Sequence, residues 1–118
     1  MRRALVLAFV VLLASPAAWA GNPARGLARQ QLEFGVAVAR AGLWREAIYR
    51  WQKAVEIDPT YAAAYNDLAI AYEHDGQLEK AKIAYEKAAE LDPKNVHIKQ
   101  NFDFFKEINE RIQAKTPR

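Results

Sequence analysis

The sequence predicts an all-α chain, and three observations carry that expectation. A 34-residue stretch recurs, its apolar residues follow three- and four-residue spacing, and Gly or Asp-Pro pairs punctuate it at fixed places. At 118 residues the chain suits one small domain. It has no cysteine, which excludes a disulfide scaffold, a thiolate metal site, a cysteine nucleophile and a lipid-modified cysteine.

Residues 1–20 stand apart. Arg2 and Arg3 precede an unbroken apolar run from Ala4 to Ala14, then Ser15-Pro16, then Ala18-Trp19-Ala20 ahead of Gly21. A positive start, a short apolar stretch and an A-x-A ending make a secretory signal peptide. The alternative is an uncleaved anchor, but the apolar run is far shorter than the roughly 20 residues that span a bilayer. Cleavage after Ala20 is expected, with a periplasmic or other extracytoplasmic destination and membrane contact only during export. Removing the leader leaves 15 basic against 14 acidic residues, so the formal charge of +3 falls to +1. A basic surface seeking an acidic partner is therefore not indicated.

Residues 21–27 form a short extension. Aligning 28–61 with 62–95 then gives nine identities: Ala28/Ala62, Ala37/Ala71, Gly42/Gly76, Ala47/Ala81, Lys53/Lys87, Ala54/Ala88, Glu56/Glu90, Asp58/Asp92 and Pro59/Pro93. Each unit reads as two helices. In the second, Tyr65, Leu68, Ala69 and Tyr72 mark one face of the first helix, which ends at Asp75-Gly76-Gln77. Leu78, Ala81, Tyr85, Ala88 and Leu91 mark the next, which Asp92-Pro93 stops. The first unit follows the same logic through Leu32, Phe34, Gly35 and Val38 to Gly42, then Trp44, Ala47, Trp51 and Ala54 to Asp58-Pro59.

This pattern resembles the tetratricopeptide repeat. The second unit has Tyr65, Leu68, Ala69, Tyr72, Ala81, Tyr85, Ala88 and Pro93 at the places of that family's signature. The first has Phe34, Gly35, Ala47, Trp51, Ala54 and Pro59 but departs at Gln31 and Val38. The resemblance implies two helix-turn-helix repeats, 28–61 and 62–95, in a short right-handed α-solenoid. Small residues at Gly35, Ala47, Ala69 and Ala81 would let paired helices approach closely.

Residues 96–113 read as a capping helix, with 114–118 as a tail. Ile98, Phe102, Phe105, Ile108 and Ile112 form one apolar stripe. Continuing the period puts Asp103 and Lys106 where the repeat wants a small residue and Tyr, as suits a helix with no further partner on that side.

The resemblance implies a concave groove lined by the first helices of successive repeats. The 34-residue offset assigns to it Arg29, Leu32, Val36 and Arg40, then Asn66, Ile70, Glu73 and His74, then His97, Gln100 and Phe104. Mixed apolar and polar side chains suit an extended peptide or a helix of a protein partner. One subclass of the family grips a C-terminal carboxylate with Lys and Asn. Leu32, Val36 and Asp67 stand at those places here, which disfavours that ligand. Phe104 lies off the cap's main stripe and either packs on the second repeat or stands exposed as a binding anchor.

Catalysis finds little support. His74 and His97 lie on different helices outside any metal-ligand motif, and no phosphate loop, nucleophile elbow or dinucleotide fingerprint is present. No cofactor is expected. Nucleic acid is not expected as a partner either, because no basic stripe with interleaved aromatics occurs. The first repeat holds 5 basic and 4 acidic residues, the second 4 and 7, and residues 96–118 hold 5 and 3, so the middle is acidic. The expected role is a non-catalytic adaptor or scaffold in an envelope assembly. The alternative is a self-associating element or a non-catalytic subunit of a larger complex, since solenoids usually need about three repeats for stability.

Overall fold

A computed structural model of the chain describes residues 22–116; the expected signal peptide lies outside them. The described residues form five helices and no strand: α1 Pro23–Arg40, α2 Trp44–Ile57, α3 Ala62–His74, α4 Leu78–Leu91 and α5 Val96–Lys115. No described helix is long and apolar enough to cross a membrane. The chain is an all-α solenoid of two helix pairs, α1/α2 and α3/α4, with α5 against the second pair.

The turns repeat with the sequence. Gly42 and Gly76 have φ of +78° and +73°, the left-handed region open to glycine. Around Gly42, its amide donates to Ala39 and the Leu43 amide to Val38; around Gly76, its amide donates to Glu73 and the Gln77 amide to Tyr72. Both are Schellman closures of a helix end, one repeat apart. The pairs end at Asp58-Pro59 and Asp92-Pro93, where each aspartate amide still bonds an alanine carbonyl four residues back.

Helix α1 begins at Pro23, within the segment read from sequence as an extension. Asn22 caps it by accepting the Ala24 amide at 3.1 Å, and proline suits the first turn because its missing N–H would go unused there. Arg25, on the added turn, donates through Nε to Asp58 Oδ2 at 2.5 Å, which ties the start of α1 to the end of α2. Asn95 caps α5 by accepting from the His97 and Ile98 amides.

Small residues set the spacing between helices. Ala47, Ala54, Ala64, Ala69, Ala71, Ala81 and Ala88 are fully buried. At Gly35 an added Cβ would lie 2.7 Å from Trp51 Cδ1, so only glycine lets α1 sit against the indole. That indole donates through Nε1 to the Leu32 carbonyl at 3.0 Å. The main core joins Ala47, Ile48, Trp51, Leu68, Tyr72, Ala84, Tyr85 and Phe105. Val38 packs against this core, whereas Gln31 leaves its buried Oε1 without a partner among the described residues. Of the apolar stripe on α5, Ile98 and Phe105 are buried, but Ile108 and Ile112 are exposed because the 20-residue α5 outruns the 14-residue α4.

Candidate functional site

Helices α1, α3 and α5 share one side of the solenoid, and two hollows lie along it. The first, about 380 Å³, is lined by Val36, Ala39, Arg40, Trp44, Trp51, Asp67 and Ile70. The second, about 400 Å³, is lined by Ile70, Glu73, His74, Tyr85, Asn101 and Phe104. Shifting six of the seven residues of the first set by 34 reproduces the second: Val36 becomes Ile70, Ala39 becomes Glu73, Arg40 becomes His74, Trp51 becomes Tyr85, Asp67 becomes Asn101 and Ile70 becomes Phe104, while Leu78, the counterpart of Trp44, lies outside it. The hollows are one structural feature written twice, and Ile70 is the ridge they share.

Of the residues assigned to the groove from sequence, Val36, Arg40 and Ile70 meet in the first hollow, and Ile70, Glu73, His74 and Phe104 meet in the second. Arg29, Leu32, Asn66, His97 and Gln100 line neither. Leu32 packs inward against the core, and Asn66 accepts from Asn101 Nδ2 at 3.2 Å. Arg29, His97 and Gln100 are exposed on α1 and α5. Phe104 is 64% exposed, so of its two sequence alternatives the structure places it at the surface.

Sequence reasoning left Ala39, Trp44, Trp51, Tyr85 and Asn101 out of the groove, and named Asp67 only as a departure from the carboxylate-gripping pattern. The signal was present in the 34-residue offset, which pairs Trp51 with Tyr85 and Asp67 with Asn101. These residues belong to the second helices or lie one place beyond the chosen face, so a groove drawn from first helices alone leaves them out.

The two hollows differ in electrostatics. Burial holds the Asp67 carboxyl at about 6, above the usual carboxylate range, only partly offset by the neighbouring Asn66 amide. In the second hollow the Tyr85 hydroxyl donates to Glu73, and burial followed by that carboxylate raises the tyrosine well above its ordinary value. The His74 ring stacks on Trp44 with centroids 3.9 Å apart and planes 4° from parallel, joining the basic rim of one hollow to the aromatic wall of the other.

A further hollow of about 450 Å³ lies between α3 and α4, lined by Tyr65, Leu68, Tyr72, Lys80, Ile83, Ala84 and Lys87. In the first repeat Arg50 stands where Ala84 stands, and its guanidinium covers Phe34 at 4.1 Å. Replacing that long side chain by a methyl is what opens the space.

No group of His, Cys, Asp and Glu that could hold a metal ion occurs among the described residues. The arrangement offers apolar walls, a few polar groups and open access, which suits binding of a protein segment.

Comparison with known proteins agrees with this architecture. The family described as "Tetratricopeptide repeat" matches residues 51–83, the end of α2 through the start of α4. The chain is similar to the mouse "Protein O-mannosyl-transferase TMTC4", at 35% identity over 53% of this chain and 8% of that protein. It is 37% identical, over 48% of this chain and 6% of that protein, to the rice "Probable UDP-N-acetylglucosamine--peptide N-acetylglucosaminyltransferase SPINDLY". It is 32% identical, over 65% of this chain and 25% of that protein, to the Arabidopsis thaliana "Tetratricopeptide repeat domain-containing protein PYG7, chloroplastic". The chain thus spans at most a quarter of these three relatives' own lengths. The 34-residue period, the paired helices with matching turns and the matched segment converge: residues 51–83 match the tetratricopeptide repeat family, and the described residues have the paired-helix architecture of such repeats.

Proposed function

We propose that the chain is a non-catalytic adaptor, exported to the cell envelope, that binds a segment of a protein partner along the face shared by α1, α3 and α5. One observation carries this reading: the two hollows recur with the repeat and join at Ile70, giving a continuous track instead of an isolated pit. Phe104, exposed at the end of that track, is its aromatic anchor. A segment lying along it would bury apolar surface against Val36, Ile70 and Phe104 while Asn101 and Glu73 meet its polar groups.

Panning a random dodecapeptide library on the full exported chain tests the groove. Selected peptides are expected to lose affinity by about tenfold or more with Ile70→Arg. Undiminished affinity in that variant would overturn the groove. Export is tested by sequencing the N-terminus of chain recovered from an envelope fraction. A start at Gly21 supports cleavage after Ala20, and retained Arg2 and Arg3 contradict it.

A second reading, self-association through the outer face of the first repeat, rests on Leu27, Phe34 and Tyr49, each about half exposed. Sedimentation across a wide concentration range checks it. A monomer throughout argues against self-association, and a concentration-dependent dimer lost with Phe34→Glu supports it.

A further inference from the structure

We propose that the hollow around Asp67 is a subsite for one cationic side chain, Lys or Arg, of the bound protein segment. This deepens the groove reading and rests on it.

The walls of the hollow suit such a side chain. Val36, Ala39 and Ile70 are aliphatic, and Trp44 and Trp51 are aromatic. Aliphatic walls take the methylene stem of a lysine or arginine, and an indole face attracts the charged head. The one carboxylate there is Asp67, and no basic side chain among the described residues contributes to holding its charge. Arg40 lines the same hollow, but it is exposed in the last turn of α1, where its charge meets the carbonyl end of the helix.

Asp67 is therefore a partly desolvated carboxylate without a counter-ion among the described residues. Such a group lowers the stability of the free protein, and a perturbed acid in a cleft is a candidate functional position. An ammonium or guanidinium arriving with a partner supplies the missing charge as the bound segment covers the hollow. There the pair gains more than it would on an open surface.

The equivalent hollow lacks this feature. Asn101 stands where Asp67 stands, and the carboxylate present, Glu73, already accepts the Tyr85 hydroxyl. One of the two hollows related by the repeat thus selects a cation, which fixes the register of a bound segment along the track.

The library selection described above, run on the wild type, Asp67→Asn and Glu73→Gln, tests the subsite. Wild-type and Glu73→Gln selections are expected to enrich Lys or Arg at one fixed position among apolar residues. Asp67→Asn, which removes an unfavourable charge and so folds, is expected to keep the apolar preferences and lose the cationic one. A wild-type peptide should bind Asp67→Asn about tenfold more weakly. Replacing its cation by norleucine should cost as much in the wild type and nothing further in Asp67→Asn. Peptides that compete for the groove but show no fixed cation, or the same cation in Asp67→Asn, would overturn the subsite and leave the groove standing. Peptides indifferent to Ile70→Arg, or no selected peptides at all, would overturn both.

Discussion

Asp67 on α3 and Asn101 on α5 stand one repeat apart and line equivalent hollows, so the two differ at this place by a single charge. The hollow with the charge is the one whose acid has no counter-ion among the described residues.

That relationship has a signature in stability. Asp67 titrates at about 6 in the folded chain and near its ordinary value when unfolded. Between those values the folded state binds the extra proton, so Asp67 contributes a rise in stability as pH falls from 7 towards 4. Asp67→Asn is expected to be more stable at pH 7 by on the order of 2 kcal/mol, with a smaller gain towards pH 4. Urea titrations of both proteins across this range check it. Equal stability at pH 7 would show that the carboxylate is not desolvated.

Asp58 behaves in the opposite sense. It is 3% exposed, accepts from the Thr60 hydroxyl and amide, and pairs with Arg25. The Thr60 hydroxyl first, and then the Arg25 guanidinium, hold its carboxyl below the usual range. Its contribution is present above its unfolded value near 3.8 and lost as pH falls through the lower folded value. Asp58→Ala is expected to cost about 2–3 kcal/mol at pH 7, because it strips the end of α2 and frees α1's first turn. Thermal melts read this directly, and hydrogen exchange should show faster opening at Ala24 to Ala28.

Gly35 and Gly42 are glycines for different reasons. Gly35→Ala is expected to cost about 1–3 kcal/mol, since the new methyl must displace the Trp51 ring, and tryptophan emission should shift with it. Gly42→Ala meets open space but carries a positive φ, so its cost is about 1 kcal/mol with no change in emission. Equal costs and equal emission would contradict the close approach of α1 to the indole.

Phe104→Ala removes a ring that is mostly in solvent. The melting transition is expected to move by less than the equivalent of about 0.5 kcal/mol, while affinity for a groove-selected peptide falls about tenfold. A large loss of stability would return Phe104 to the core and remove it as an anchor.

The fold was legible in the sequence because its determinants are local and periodic. Gly42/Gly76 and Asp58-Pro59/Asp92-Pro93 punctuate the helices, and buried alanines set their spacing. The start of α1 was less so: residues 23–27 carry no repeat match, and what secures that turn is the Arg25–Asp58 pair, 33 residues apart. The groove was legible by half. Val36, Ile70 and Phe104 follow from the offset applied to first helices. The Trp51 and Tyr85 walls come from second helices, and the environment of Asp67 depends on α1, α2 and α3 assembling around it. A carboxylate's desolvation is a property of the packed state, and no spacing rule reports it.

The central claim is that the face shared by α1, α3 and α5 is the binding surface, and one comparison tests it most directly. The affinity of a selected peptide is measured by calorimetry against Ile70→Arg, at the ridge between the two hollows, and against Ile83→Arg, in the exposed hollow between α3 and α4. The expected result is at least a tenfold loss with Ile70→Arg and unchanged affinity with Ile83→Arg. Loss with Ile83→Arg and retention with Ile70→Arg would place binding on the opposite face and contradict the account.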